Sequence, residues 1–208
     1  MSGQASGNSE AEVAILQATK RLLADVPLHD LSVAQIIEAA GISRATFYFY
    51  FSSKFAVLTA LVERAIDEVY AVSRLTADPG GIPIEVVLRQ RIEDSARVWA
   101  AHRPVLQATV ENWHVFPELR ELWLKMIGGL TDAIAAEIDR ERAAGRAPEG
   151  ADSRQLASML AWTTERCLYV SGLDLPPSLG DAGEMVAVLT QMWLAVMYGD
   201  GVERQAAA

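Results

Sequence analysis

A chain of 208 residues with about half its residues apolar is long enough to bury a sizeable core. One cysteine, Cys167, excludes an intrachain disulfide and a cysteine-rich zinc site. A formal charge of −9 excludes indiscriminate attraction to nucleic acid or anionic lipid, so any binding to DNA must come from a local surface.

The chain is expected to begin with a disordered leader, residues 1–9, because Ser, Gly and Asn dominate there without apolar periodicity. It contains neither the basic nor the apolar stretch of a targeting signal, and no later run approaches the ~18–20 apolar residues of a membrane span. The expectation is a cytoplasmic protein without a membrane partner. From Glu10 onward apolar residues recur at three and four, as in Ile15, Thr19, Leu22 and Leu23, and no alternating strand pattern is visible. This spacing predicts an all-α fold of about nine helices. Pro27 is expected to end the first, and the stretch Ala77 to Pro83 to separate the fourth from the fifth.

Between Leu31 and Lys54 the pattern becomes specific. Ser32 with Gln35 forms a capping-box signature, so a short helix should start there and turn Val33, Ile36 and Ile37 inward. Gly41 ends it, because glycine takes the left-handed conformation without a Cβ clash. Ser43 caps a second short helix, Arg44 to about Tyr50, whose Phe47 and Phe51 face inward at i,i+4. Two short helices on a tight glycine turn make a helix-turn-helix. Arg44 can donate two hydrogen bonds to a guanine edge or a phosphate, Thr46 can reach either, and Ala45 leaves room for close approach. Ser32, Ser43, Tyr48, Tyr50 and Lys54 suit phosphate contacts. Such hairpins also occur in helical proteins that bind no DNA; the outward aromatics favour the binding reading.

The run Ala40-Gly-Ile-Ser-Arg-Ala-Thr-Phe-Tyr-Phe-Tyr-Phe-Ser-Ser-Lys54, followed by Ala56, Val57 and Leu58, resembles the signature of TetR-family transcriptional regulators. The resemblance implies a three-helix DNA-binding domain over about 10–55, with the third helix in the major groove of operator DNA. A ligand-binding and dimerisation domain would follow over 56–208, joined by a fourth helix from Ser53 to about Leu75. Two departures stand out. Tyr50 replaces the histidine of many members, and no Lys or Arg occurs before residue 13 to form a basic arm.

Farther along, Ile138-Asp-Arg-Glu-Arg142, Glu165-Arg166 with Leu168, and Trp193 leading to Tyr198-Gly199 resemble the EthR-type subgroup. Independently, Leu88, Ile92, Ser95 and Trp99 form one helical stripe, and Trp123, Ile127, Leu130 and Ile134 another. Such stripes fill cores in many proteins; four tryptophans beyond residue 100 also suit a rigid pocket lining. The resemblance implies an apolar effector tunnel lined by Trp99, Trp123, Ile127, Leu130, Thr164 and Trp193. Ala161 and Thr164 stand where the subgroup carries asparagines, so ligand preference should differ. It further implies a homodimer through helices eight and nine, with Leu156, Leu160, Val188, Met192 and Val196 on their apolar faces; the alternative is that these faces belong to the monomer's own core.

The rival readings are an enzyme and a helical interaction module. Glu111 and His114 have the Glu-x-x-His spacing of a carboxylate-bridged metal site, but no second pair completes it. No phosphate loop or nucleophile elbow appears, so no catalytic residue, metal or cofactor is assigned. The expectation is a repressor that a small apolar ligand releases from its operator.

Overall fold

A computed structural model describes residues 3–73, 82–173 and 175–199, and among these the chain is all-α: nine helices and no strand. They are α1 (Gly3–Leu22), α2 (Val33–Ala40), α3 (Arg44–Tyr50), α4 (Lys54–Ser73), α5 (Ile84–Ala101), α6 (Arg103–Asn112), α7 (Pro117–Ala143), α8 (Ser153–Ser171) and α9 (Ala182–Tyr198). No single helix among them is long and apolar enough to cross a membrane.

Two boundaries differ from expectation. α1 reaches back to Gly3, so residues 3–9 extend a helix rather than forming an irregular leader. Each added residue gains one backbone hydrogen bond once the turns beyond Glu10 have nucleated the helix, which offsets poor local propensity. At its other end α1 stops at Leu22, before Pro27, and the chain turns onward with Val26 N–H donating to the Leu22 carbonyl at 2.8 Å. The expected end of the fourth helix near Leu75 lies outside the described residues.

The chain divides into two compact units. The first comprises Met1–Asp67 with His102–Leu122; the second comprises Glu68–Ala101 with Trp123–Ala208. In the first unit α1 packs against α2, α3 and α6. Its core gathers Ile15, Leu16, Ile36, Phe47, Val62 and Leu106, each nearly or wholly buried. Phe55, at the start of α4, stacks on Phe116 of the turn before α7 with ring centroids 3.9 Å apart. That contact, made by α4 and the segment following α6, is one reason α6 joins this unit despite its distance in sequence.

In the second unit α5 packs on α8 and α9 around Leu88, Ile138, Leu160, Leu194 and Met197. An ion pair is enclosed there: Arg91 Nη1 reaches the Glu137 carboxylate at 3.1 and 3.2 Å, with side chains only 14% and 7% exposed. Burial pushes the Glu137 carboxyl above its ordinary range, and Arg91 pulls partly against it. One turn later Glu141 is held below the usual carboxylate range mainly by its hydrogen bond from Arg146, and the Tyr198 hydroxyl also donates to it at 3.2 Å. The Arg91 pair joins α5 to α7, and the Tyr198 bond fastens the end of α7 to the end of α9.

Candidate nucleic-acid interface and effector site

The helix-turn-helix is built by its caps. Ser32 and Gln35 complete a capping box: Gln35 N–H donates to Ser32 Oγ at 3.2 Å, and Ser32 N–H donates to Gln35 Oε1 at 2.8 Å. Gly41 takes φ 64°, ψ 33°, a left-handed backbone, and Ile42 N–H donates to the Ile37 carbonyl at 3.2 Å. Ser43 then caps α3: its Oγ accepts Thr46 N–H at 3.0 Å and is hydrogen-bonded to Thr46 Oγ1 at 2.7 Å. The hydroxyls of Ser32, Ser43 and Thr46 are thus already engaged locally, and Ser32 and Ser43 remain solvent-exposed.

Phe47 is fully buried and fixes which side of α3 turns inward. Arg44, Ala45, Tyr48 and Phe49 are exposed on the remaining sides, and the Arg44 guanidinium lies over the Tyr48 ring, 5.5 Å from its centroid. Phe49, absent from the residues singled out by sequence, is 72% exposed. The only sequence signal for it was its spacing of two from Phe47.

Two residues expected to meet phosphate are occupied otherwise. The Tyr50 hydroxyl is buried and has no hydrogen-bond partner among the described residues. Burial, then the negative charge of Glu12 on α1, pushes its pKa above the ordinary value. Lys54 Nζ donates to the carbonyls of Leu28, His29 and Leu31 at 2.7, 3.2 and 2.6 Å. These carbonyls belong to the irregular segment after α1, where no helix ladder satisfies them, so the ammonium works as an internal clamp. Burial lowers its pKa, and Asp30 partly restores it.

The residues expected to line the effector site all lie in the second unit, and the structure joins four of them as two pairs. Trp99 and Trp123 meet edge to face, centroids 6.3 Å apart and planes at 74°, both buried. Trp193 Nε1 donates to Thr164 Oγ1 at 3.0 Å, and both side chains are half-buried. Ile127 and Leu130 continue the Trp123 stripe along α7, the first buried and the second half-buried. Two polar groups of this unit stand out: Trp123 Nε1 and both oxygens of Glu165 are buried without a hydrogen-bond partner among the described residues. Burial raises the Glu165 pKa; Arg166, whose Nε lies 3.8 Å away, lowers it less. Sequence reasoning assigned Glu165 no role, because glutamate in a polar stretch of helix ordinarily signals solvent.

On α9, Val188, Met192 and Val196 are exposed at 57%, 41% and 39%, spaced by four along one face, and Met159 on α8 is 63% exposed. Leu160 differs from the interface expectation: it is buried in the chain's own core, and Leu156 packs against that core. Both point toward α5, α7 and α9 rather than outward. His114 follows the last residue of α6, Asn112, and its carbonyl accepts from Arg120, so Glu111 and His114 do not share a helix.

Comparison with known proteins gives a consistent result. Residues 88–199 match the profile of the C-terminal domain of transcriptional regulator EthR, and residues 15–61 match that of bacterial regulatory proteins of the tetR family. The chain is 34% identical over 192 residues to the HTH-type transcriptional regulator EthR of Mycobacterium tuberculosis H37Rv, covering 92% of this chain and 88% of that one. It is also 34% identical over 203 residues to EthR of Mycolicibacterium smegmatis, covering 95% and 90%. Among solved structures, Salmonella enterica GusR superposes with a TM-score of 0.72 at 19% identity, covering 90% of this chain and 95% of that one. The SmeT–triclosan complex gives 0.71 at 23%, covering 92% and 93%; both structures support the fold alone.

Proposed function

The chain belongs to the TetR family of DNA-binding transcriptional regulators, with an EthR-type C-terminal domain, and from that premise we propose a cytoplasmic homodimeric repressor released from operator DNA by a small apolar effector. The observation that carries this reading is the exposed face of α3, with Arg44 and Tyr48 held together on a helix that two caps and a buried phenylalanine orient. An acidic chain needs such a face, because its overall field repels the duplex.

Arg44 is assigned to a guanine edge or phosphate, Thr46 to a base or a phosphate, Ala45 to close approach, and Ser32, Ser43 and Tyr48 to the backbone. One short helix spans too few base pairs for specificity, so two must act together in successive major grooves. The exposed stripe of α9 with Met159 of α8 supplies a self-complementary apolar face for that dimer.

The effector site is assigned to the second unit around Trp99, Trp123, Ile127, Leu130, Thr164 and Trp193. Supporting it are the orphaned Trp123 N–H and Glu165 carboxyl, since buried polar groups ordinarily find partners and a ligand can supply them. Coupling is assigned to α4. The Tyr70 hydroxyl donates to the carbonyls of Lys125 and Met126 at 3.4 and 3.2 Å, within one turn of Trp123 and Ile127. A ligand that displaces that turn of α7 would draw on α4, whose other end carries the Lys54 clamp.

The test is a footprint of the purified dimer on DNA upstream of its own gene. It is repeated with compounds that raise the melting temperature in a screen of apolar molecules, triclosan included because SmeT was solved with it. Protection lost on adding a stabilising compound is the expected result. Protection unchanged by every such compound contradicts ligand release.

A further inference from the structure

We propose that Phe49, with Ala45 one turn before it, reads thymine methyl groups in the operator's major groove. The inference rests on the DNA-binding reading of α3 and adds a specificity determinant to it.

At about 100° per residue, Ala45 and Phe49 each stand two residues from Phe47 and so about 160° around the helix from it, on either side. Phe47 is fully buried, so these two positions form the outermost ridge of α3. That ridge is apolar. At 72% exposure Phe49 is the most exposed large hydrophobic side chain among the described residues, and its ring is braced edge-on by Tyr50, centroids 5.0 Å apart at 85°. Arg44 and Tyr48, joined by their cation–π contact, occupy one flank of the ridge.

The part of α3 that would enter a groove first therefore carries no hydrogen-bonding group. Among the base edges of the major groove only thymine offers an apolar group, its C5-methyl. Methyl recognition also needs no positive charge, which suits a chain of net charge −9. Burial of Phe49 against a methyl removes from water an aromatic surface that folding has left exposed.

The full-length protein is used to select binding sites from a random duplex pool. Each thymine of the selected site is then replaced singly by deoxyuridine, which deletes only the methyl. The expected result is a loss of about fourfold in affinity at one or two thymines of each half-site, the worth of one buried methyl. In the Phe49→Ala protein those same replacements have no effect, so the two changes are coupled. Phe49 lies at the surface, so the variant should melt like the parent, and circular dichroism checks this. Equal deoxyuridine losses in both proteins, or no loss at any thymine, overturn the inference while leaving the DNA-binding reading intact, provided Arg44→Ala abolishes binding to the selected site. If Phe49→Ala instead changes only the oligomeric state, the ridge is a protein contact and the inference fails. A pool that yields no site overturns both readings.

Discussion

The ammonium of Lys54 shows how a side chain of the right type can be diverted by an unpaired neighbour. Three carbonyls between Leu28 and Leu31 take all of its donors, which ties it to the fold of the first unit. Replacing it by methionine keeps the apolar stem and should lower stability by about 1.5–3 kcal/mol, the worth of hydrogen bonds to a charged group. The salt dependence of DNA binding should stay the same, whereas loss of a phosphate contact would reduce its slope by about one. Denaturant melts and binding at several salt concentrations measure the two effects separately. Glu165 is the complementary case, a carboxyl buried without a hydrogen-bond partner. Its folded pKa is raised by burial, so the stability it contributes is full below the unfolded pKa and is lost as pH rises through the folded value. Glu165→Gln should therefore melt above the parent at pH 8 and alongside it near pH 4 in scans across that range. Neither role was legible in sequence, since both depend on which backbone or side-chain groups lack partners in three dimensions.

At the scale of elements, much more could be read in advance. Ser32 with Gln35, Gly41 and Ser43 placed the start and end of α2 and the start of α3, because caps act over three or four residues and leave a local signature. The stripes of α5 and α7 located Trp99 and Trp123, but only packing showed that they meet edge to face. Leu160 could not be separated from Val188 by periodicity, as an apolar helix face reads the same whether its partner is its own core or another subunit. Gly41→Ala tests the turn: a Cβ there meets no atom within 4 Å, so the left-handed backbone alone accounts for an expected loss of about 1–2 kcal/mol in denaturant melts. Arg91→Ala should cost more, about 3–5 kcal/mol, because it strands the buried Glu137 charge. Met192→Glu should dissociate the proposed dimer in sedimentation without lowering helix content, since that side chain is 41% exposed in the single chain.

For the whole molecule, the proposed regulation requires that the effector bind one conformation better than another and that the preference be reciprocal. Operator DNA should weaken effector binding by the factor by which effector weakens operator binding. Tyr70 makes a hydrogen-bonded link between α4 and α7, and Gly129 makes room for it: a Cβ there would come within 2.5 Å of the hydroxyl. Tyr70→Phe should leave DNA affinity and effector affinity each nearly unchanged when measured alone, yet reduce the factor that joins them. The account as a whole stands on α3 presenting Arg44 to a duplex. Fluorescence anisotropy of a labelled duplex from upstream of the gene, titrated with parent and Arg44→Ala proteins of matched helix content at one salt concentration, tests this most directly. Saturable binding by the parent and a loss of tenfold or more in the variant is the result the account predicts; equal affinities would contradict it.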